Sequence, residues 1–215
     1  MRLIPMEDRL KTGTTTVGIT CKEGVVMGTE HRATMGNFIA HKTTQKLYKI
    51  DENLALAVAG LVGDAQTLQR YLVAEVELYK LKHDIPMSVR AASTLMANIL
   101  SGHRYYPYWV QLLIGGVDNT GNYVYSLDAA GGVIPDKYVS AGSGSVFVYG
   151  VLEDYYKDNV TLTDATDICI RGITAAMKRD SASGDGIEIC QITKKGYKEV
   201  PEVEIKKRQK KLDIE

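Results

Sequence analysis

The sequence lacks the features that mark several classes of protein. No apolar run approaches the roughly 20 residues that a membrane-spanning helix needs. Lys plus Arg number 26 and Asp plus Glu number 26, so the formal net charge is zero and a chain-wide basic field for nucleic acid is not expected. Residues 1–11 mix acids and bases without an apolar stretch, which argues against a secretory signal. These absences predict a cytoplasmic protein with neither a membrane nor a nucleic acid as partner.

The familiar motifs of metal, nucleotide and serine-hydrolase chemistry are also missing. There is no GxSxG, Walker loop, GxGxxG or HExxH, and the four histidines show no metal-ligand spacing. Cys21, Cys169 and Cys190 lie far apart without a CxxC pair, which predicts reduced and buried thiols. We therefore expect no metal and no organic cofactor.

A chain of 215 residues without repeats or linkers predicts one domain. Its hydrophobic pattern predicts strands in hairpin-like pairs, two helices, more strands, two further helices and closing strands. The predicted strands are Thr15–Cys21, Val25–Thr29, Lys46–Ile50, Leu54–Ala59, Val110–Val117, Tyr123–Leu127, Gly186–Thr193 and Tyr197–Val200. The predicted helices are 65–82 with Asp64 as N-cap, 89–100 after Ser88, 146–157 and 164–179. Hairpins imply antiparallel sheets and paired helices imply layers on them, which gives an α+β fold without fixing the number of layers.

The C-terminal residues 203–215 carry five of the 26 basic residues. Such a charge run favours a solvated tail, and a docking segment for a partner is the alternative.

The most informative stretch is a run of threonines near the N-terminus. Locally, β-branched residues such as these suit the start of a strand. The run is, however, the first of seven motifs that follow one another along the chain: TGTTTVGI at 12–19, TEHRAT at 29–34, QKLYKI at 45–50, AGLVGDAQ at 59–66, DAAGG at 128–132, GSGSVFVYGVLE at 142–153 and RDSASGD at 179–185. With these motifs the chain resembles the proteasome β subunits, and among them the archaeal type.

The resemblance implies a four-layer αββα sandwich, two antiparallel sheets flanked by helices, as in N-terminal nucleophile hydrolases. It implies that residues 1–13 are a propeptide which the chain removes itself by cutting between Gly13 and Thr14, and that 14–215 is a single peptidase domain. Cleavage would place a free α-amine beside the Thr14 hydroxyl, so that base and nucleophile share one residue. An α-amine has a reference pKa of about 7.7–8.0, suited to accepting a proton near neutral pH.

The resemblance also assigns the residues around Thr14. Lys46 corresponds to a cation that stabilises the reactive oxygen, and Glu30 to the acid that holds this lysine, although many family members have Asp there. Gly60 corresponds to the oxyanion-hole donor. Ser143, Asp180 and Ser183 correspond to a network around the amine. The uncharged specificity pocket is expected to prefer an apolar residue before the cut, and its positions are Ala33, Thr34, Thr44, Tyr48 and Val58.

The implied activity is a threonine endopeptidase that acts on unfolded polypeptides through an acyl-enzyme. The implied partners are further β subunits, which form a seven-membered ring. Two such β rings stack between rings of α subunits, and a regulatory ATPase binds the α ring. Two alternatives stay open: the peptidase subunit of the bacterial ATP-dependent protease, and a catalytically silent ring subunit. The DAAGG and GSGSxFxYG motifs favour the proteasome type, and the joint presence of Gly13, Thr14, Glu30 and Lys46 argues against a silent subunit.

Overall fold

The computed structural model describes residues 13–214, so the predicted propeptide lies outside the described residues except for Gly13. The strands are β1 Thr16–Thr20, β2 Gly24–Glu30, β3 Ala33–Met35, β4 Phe38–His41, β5 Leu47–Asp51, β6 Leu54–Gly60, β7 Val110–Asp118, β8 Gly121–Leu127, β9 Val133–Asp136, β10 Tyr138–Ala141, β11 Ile187–Thr193 and β12 Gly196–Glu199. The helices are α1 Val62–His83, α2 Val89–Gly102, α3 Ser145–Tyr155, α4 Leu162–Arg179 and α5 Glu202–Lys211.

The strands form two five-stranded sheets and one small hairpin. The first sheet has the order β10-β1-β2-β11-β12, the second has the order β5-β6-β7-β8-β9, and β3 pairs with β4. Every pairing is antiparallel. The hairpin pattern of the sequence is therefore realised in both sheets.

Three hydrophobic clusters show that the layers are stacked as helix, sheet, sheet and helix. One cluster packs α1 and α2 on the second sheet, for example through Leu68, Met96 and Leu112. Another packs α3, α4 and α5 on the first sheet. The third lies between the two sheets and contains Met27 and Leu113. Since alternate residues of a strand point to opposite faces, each sheet supplies two of these clusters. The αββα sandwich is confirmed.

Two predicted helix starts have different outcomes. Ser88 caps α2 as predicted, because its side chain accepts a hydrogen bond from the N–H of Ala91 at 3.2 Å. The prediction for Asp64 is wrong: α1 begins at Val62, and Asp64 lies in its first turn. The Asp64 carboxylate instead accepts a hydrogen bond from the distant backbone N–H of Trp109 at 2.8 Å. The Asp64 side chain, which the local pattern predicts as a helix cap, thus bonds instead to a residue that is distant in the sequence.

The structure contains elements that the sequence pattern does not reveal. These are the short strands β3, β4, β9 and β10 and the C-terminal helix α5. The basic tail, which the sequence favours as a solvated terminus, instead contains α5, whose Ile205 is 3% exposed in the cluster under α4. Arg208 of this helix pairs with Asp167 of α4 at 2.7 Å. Together with the hydrogen bond from Gln209 to Thr174 of α4 at 3.2 Å, these contacts dock a largely charged helix.

Two composition-based predictions concern cysteines and membrane spans. Cys21, Cys169 and Cys190 are free and buried, as predicted. Within residues 13–214, no helix is long and apolar enough to cross a membrane.

The antiparallel register brings several element ends to one end of the sandwich. Thr16 at the start of β1 lies opposite Thr29 near the end of β2, and Ile187 at the start of β11 lies opposite Glu30. Residues that precede β1, end β2 or precede β11 therefore meet at this end, although they are far apart in the chain.

Candidate active site

Thr14 lies two residues before the start of β1, at this end of the sandwich, and is 3% exposed. Its hydroxyl donates a hydrogen bond to the carbonyl oxygen of Gly13 at 2.6 Å. The N–H of Gly13 in turn donates to the hydroxyl of Thr34 at 3.1 Å. The carbonyl group of the peptide bond predicted to be cut is thus held by the Thr14 hydroxyl, and Thr34 holds the N–H of the residue before that bond.

Gly13 occupies a position that leaves no room for a side chain. A Cβ built on it would lie 1.8 Å from the Cβ of Ala182 and 2.9 Å from Oγ of Ser143. The need for glycine at the predicted cleavage site is therefore steric: the peptide passes directly against the loop that follows α4.

Glu30 is a fully buried carboxylate whose two oxygens are both occupied. Oε1 accepts hydrogen bonds from the N–H of Thr15 at 3.2 Å and from Lys46. Oε2 accepts from the N–H groups of Arg32 at 2.7 Å and Gly184 at 3.0 Å. Burial of a carboxylate is costly unless it is paired and hydrogen-bonded, and these four donors both satisfy its oxygens and fix its orientation.

Lys46 is 6% exposed and donates both to Glu30 and to the carbonyl oxygen of Arg32. Burial lowers the pKa of Lys46, and the carboxylate of Glu30 opposes this shift. The lysine therefore depends on Glu30 for keeping its positive charge in this environment.

Ser143, Asp180 and Ser183 form one hydrogen-bonded network next to Thr14, as the resemblance implies. Asp180 Oδ2 accepts from the hydroxyls of Ser143 at 2.5 Å and Ser183 at 2.7 Å. Ser143 Oγ accepts the N–H of Thr14 at 3.2 Å. Because Ser183 gives its proton to Asp180, the hydroxyl of Thr15 is the donor in the 2.7 Å contact between Thr15 and Ser183. The nitrogen of Thr14 is thus linked through one hydroxyl to a carboxylate.

A cavity of about 370 Å³ opens beside Thr14 and Lys46. Its lining includes the predicted pocket residues Ala33, Thr34 and Val58 together with Gly60. Gly60 has a φ of +137°, and a Cβ there would lie 2.0 Å from the carbonyl oxygen of Trp109, so the position requires glycine.

Two predicted pocket residues lie elsewhere. Thr44 and Tyr48 are not among the residues that line this cavity. The Tyr48 ring packs in the core under α1 and α2, and its hydroxyl donates to the carbonyl of Gln45 at 2.9 Å. The N–H of Thr44 bonds to the carbonyl of His31 at 2.9 Å. The two residues therefore support the wall of the site from outside.

The structure adds four residues that the assignment from the sequence omits. Thr15, Arg32 and Gly184 contact Glu30 directly, and Gly142 packs so closely on Thr14 that a Cβ would lie 2.0 Å from its carbonyl oxygen. Each of them lies inside one of the seven motifs, which is the signal that could have identified them. The described residues 13–214 contain no group of three or more His, Cys, Asp or Glu side chains that could hold a metal ion.

Comparison with known proteins gives the same family across almost the whole chain. A family model described as "Proteasome subunit" matches residues 10–192. The proteasome subunit beta of Methanothermobacter thermautotrophicus is 54% identical over 202 residues, which cover 94% of this chain and 96% of the relative. The proteasome subunit beta of Thermoplasma acidophilum is 51% identical over 210 residues, 97% of this chain and 99% of the relative. That of Ferroglobus placidus is 50% identical over 208 residues, 96% and 99% of the two chains.

Proposed function

The chain belongs to the proteasome subunit family, and we propose that it is a self-processing β subunit whose Thr14 hydrolyses peptide bonds. The family and the archaeal relatives make it a catalytic β subunit of the proteasome core, with a peptidase role. The single observation that carries the proposed mechanism is the Thr14 hydroxyl 2.6 Å from the carbonyl oxygen of Gly13, beside the buried Glu30 and Lys46 pair.

In the proposed processing step, Oγ of Thr14 attacks the carbonyl carbon of Gly13 and the C–N bond to Thr14 breaks. The acyl group moves to the oxygen as an ester and the nitrogen becomes an amine. Water then hydrolyses the ester, which releases residues 1–13 as a carboxylate and frees both the hydroxyl and the amine of Thr14. The hydrogen bond from the N–H of Thr14 to Ser143 would afterwards hold the amine in place.

In the proposed catalytic cycle, the same hydroxyl attacks the substrate carbonyl while the Thr14 amine accepts its proton. Lys46 acts as a cation that stabilises the reactive oxygen, and Glu30 maintains that charge. Gly60 is proposed to donate its N–H to the oxyanion, a contribution worth about 10²–10³-fold in rate in known hydrolases. Water hydrolyses the acyl-enzyme, and no residue of this scheme requires a cofactor.

The cavity beside Thr14 supports a preference for an apolar residue before the cut. Ala33 and Val58 contribute apolar groups to its lining. We propose unfolded polypeptides as substrates, seven-membered β rings stacked in pairs between α rings as the assembly, a regulatory ATPase on the α ring as the feeding partner, and the cytoplasm as the location. The relatives are named as proteasome subunits, which supports assembly with other subunits of the core.

The test is the N-terminus and activity of the chain after co-assembly with its α partner. The intact mass should correspond to a chain that begins at Thr14, and the particle should cleave a fluorogenic peptide with an apolar residue before the dye. Thr14→Ala should remain full length and lose about 10³-fold or more in rate, since removal of a nucleophile has effects of this size or larger. Thr20→Ala is the matched control, because this hydroxyl on the same segment donates to Lys137 instead.

Two outcomes would contradict the proposal. An assembled wild-type chain that still begins at Met1 would have no free threonine amine, and the silent-subunit alternative would replace it. Cleavage in the Thr14→Ala chain would show that another group is the nucleophile.

A further inference from the structure

The active-site carboxylates are supplied by two separate segments. Glu30 ends β2, whereas Asp180 and Ser183 belong to the loop between α4 and β11. Glu30 and Gly184 of this loop are 154 residues apart in the chain. Their relative position must therefore be set by contacts, and a misplacement of about 1 Å in a catalytic group can cost about 10²-fold in rate.

The Arg32 side chain, two residues after Glu30 in the chain, contacts the 180–185 loop at several points. Its Nε donates to Oδ2 of Asp185 at 2.7 Å, and its Nη1 donates to the carbonyl oxygen of Ser181 at 2.8 Å. A Cβ on Gly184 would lie 2.4 Å from Nη2 of Arg32, so the guanidinium packs flat against this loop. A planar guanidinium can make such a two-sided contact, whereas an ammonium is a single point of charge.

The backbone of the same arginine holds the catalytic pair. The N–H of Arg32 donates to Glu30 Oε2 at 2.7 Å, and its carbonyl oxygen accepts from Lys46. The N–H of Gly184, on the other segment, donates to the same oxygen of Glu30 at 3.0 Å. A shift of Arg32 relative to the loop would thus change the spacing of the two N–H donors that share Oε2 of Glu30.

We propose that the ion pair of Arg32 and Asp185 is a positioning latch that fixes the 180–185 loop against the Glu30 and Lys46 pair. This inference rests on the proposed function, and it assigns Arg32 and Asp185 as positioning residues that do not contact the substrate. The pair is partly buried, with side-chain exposures of 20% and 16%. The hydrogen bond from Arg32 also lowers the pKa of Asp185, which keeps the carboxylate charged at neutral pH.

The chain offers a closely matched control for this pair. Arg208 and Asp167 form an ion pair of the same length, 2.7 Å, with side-chain exposures of 20% and 17%. It joins α5 to α4 and shares no residue with the active-site network. Asp167→Asn therefore removes an ion pair of the same length and exposure without disturbing the catalytic groups, while Arg208 keeps its second partner Glu204 at 2.8 Å.

The experiment compares Asp185→Asn, Arg32→Lys and Asp167→Asn in the particle assembled with its α partner. Rates are divided by the fraction of chains that begin at Thr14, so that slow processing is not counted as slow catalysis. We expect Asp185→Asn and Arg32→Lys to lower kcat about 10- to 100-fold. KM should change little, because the loss affects only the transition state. Asp185→Glu, which keeps the carboxylate, should recover part of the rate, and Asp167→Asn should keep the wild-type kcat.

Three results would overturn the latch. One is a kcat for Asp185→Asn no lower than that of Asp167→Asn. Another is a rise in KM with kcat unchanged, which would make the pair part of substrate binding. The third is failure of both Asp185→Asn and Arg32→Lys to assemble, which would make the pair a general element of the fold. Failure of the proposed function is distinguishable, because it would appear as activity of Thr14→Ala regardless of Asp185.

Discussion

Gly13→Ala tests the steric account of self-cleavage most directly. The added Cβ would lie 1.8 Å from Cβ of Ala182, whereas carbon atoms in contact prefer about 3.5–4.0 Å. The two groups must therefore separate by about 2 Å. The loop that moves carries Asp180 and Ser183, and the other close neighbour, Ser143 at 2.9 Å, holds the N–H of Thr14. The substitution should misalign the groups that surround the bond to be cut.

The expected slowing of self-cleavage follows from the free energy needed to reach the wild-type alignment with the extra methyl group in place. Extra methyl groups in a filled space cost about 1–3 kcal/mol. At about 1.36 kcal/mol per tenfold change in rate, this corresponds to processing slowed by about 5-fold to 150-fold. Under the proposed processing residue 13 leaves with the propeptide, so the mature enzyme should be unaffected.

The assay follows the intact mass of the β chain with time after mixing with the α partner, together with peptide hydrolysis. Gly13→Ala should accumulate as full-length chain while each processed chain has wild-type activity. Gly150→Ala is the control, because a Cβ at this position in α3 meets no atom within 4 Å. Ala182→Gly combined with Gly13→Ala removes the worst contact. It should recover part of the processing rate, with 2.9 Å to Ser143 and 3.1 Å to the Ala182 Cα remaining.

Processing of Gly13→Ala at the wild-type rate would refute the steric argument. So would an Ala182→Gly combination that gives no recovery, because the clash with that methyl group would then not be the cause of the slowing.

Two further predictions concern charge and stability. Glu30→Gln removes the carboxylate that opposes the burial-induced lowering of the Lys46 pKa. The lysine should then lose its proton at a lower pH, and the alkaline limb of the rate profile should move to lower pH; an unmoved limb would contradict the role of Lys46 as a cation. Ile205→Ala should lower the free energy of unfolding by about 2–5 kcal/mol, because Ile205 is 3% exposed under α4. Denaturant unfolding of the isolated chain measures this, with Val203→Ala as control since Val203 is 80% exposed.

The main elements of the fold could be predicted because their signals are local. A short apolar run after a polar turn identifies the strand β6, and a period-3.6 pattern identifies the helix α4. The cap at Ser88 is local in the same way, since donor and acceptor are three residues apart. The local pattern fails for Asp64, because its carboxylate bonds to Trp109, 45 residues away.

The composition and the ordered motifs of the sequence determined the family, the fold class and the set Thr14, Glu30, Lys46, Ser143, Asp180 and Ser183 as candidates. Only the tertiary structure decided how these groups are held. Thr14 and Ser143 are 129 residues apart, and Arg32 and Asp185 are 153 apart. It also decided that Thr44 and Tyr48 lie outside the cavity and that the basic tail contains a docked helix. Contacts at such separations depend on strand register and layer packing, which are global properties of the folded chain and leave no local pattern in the sequence.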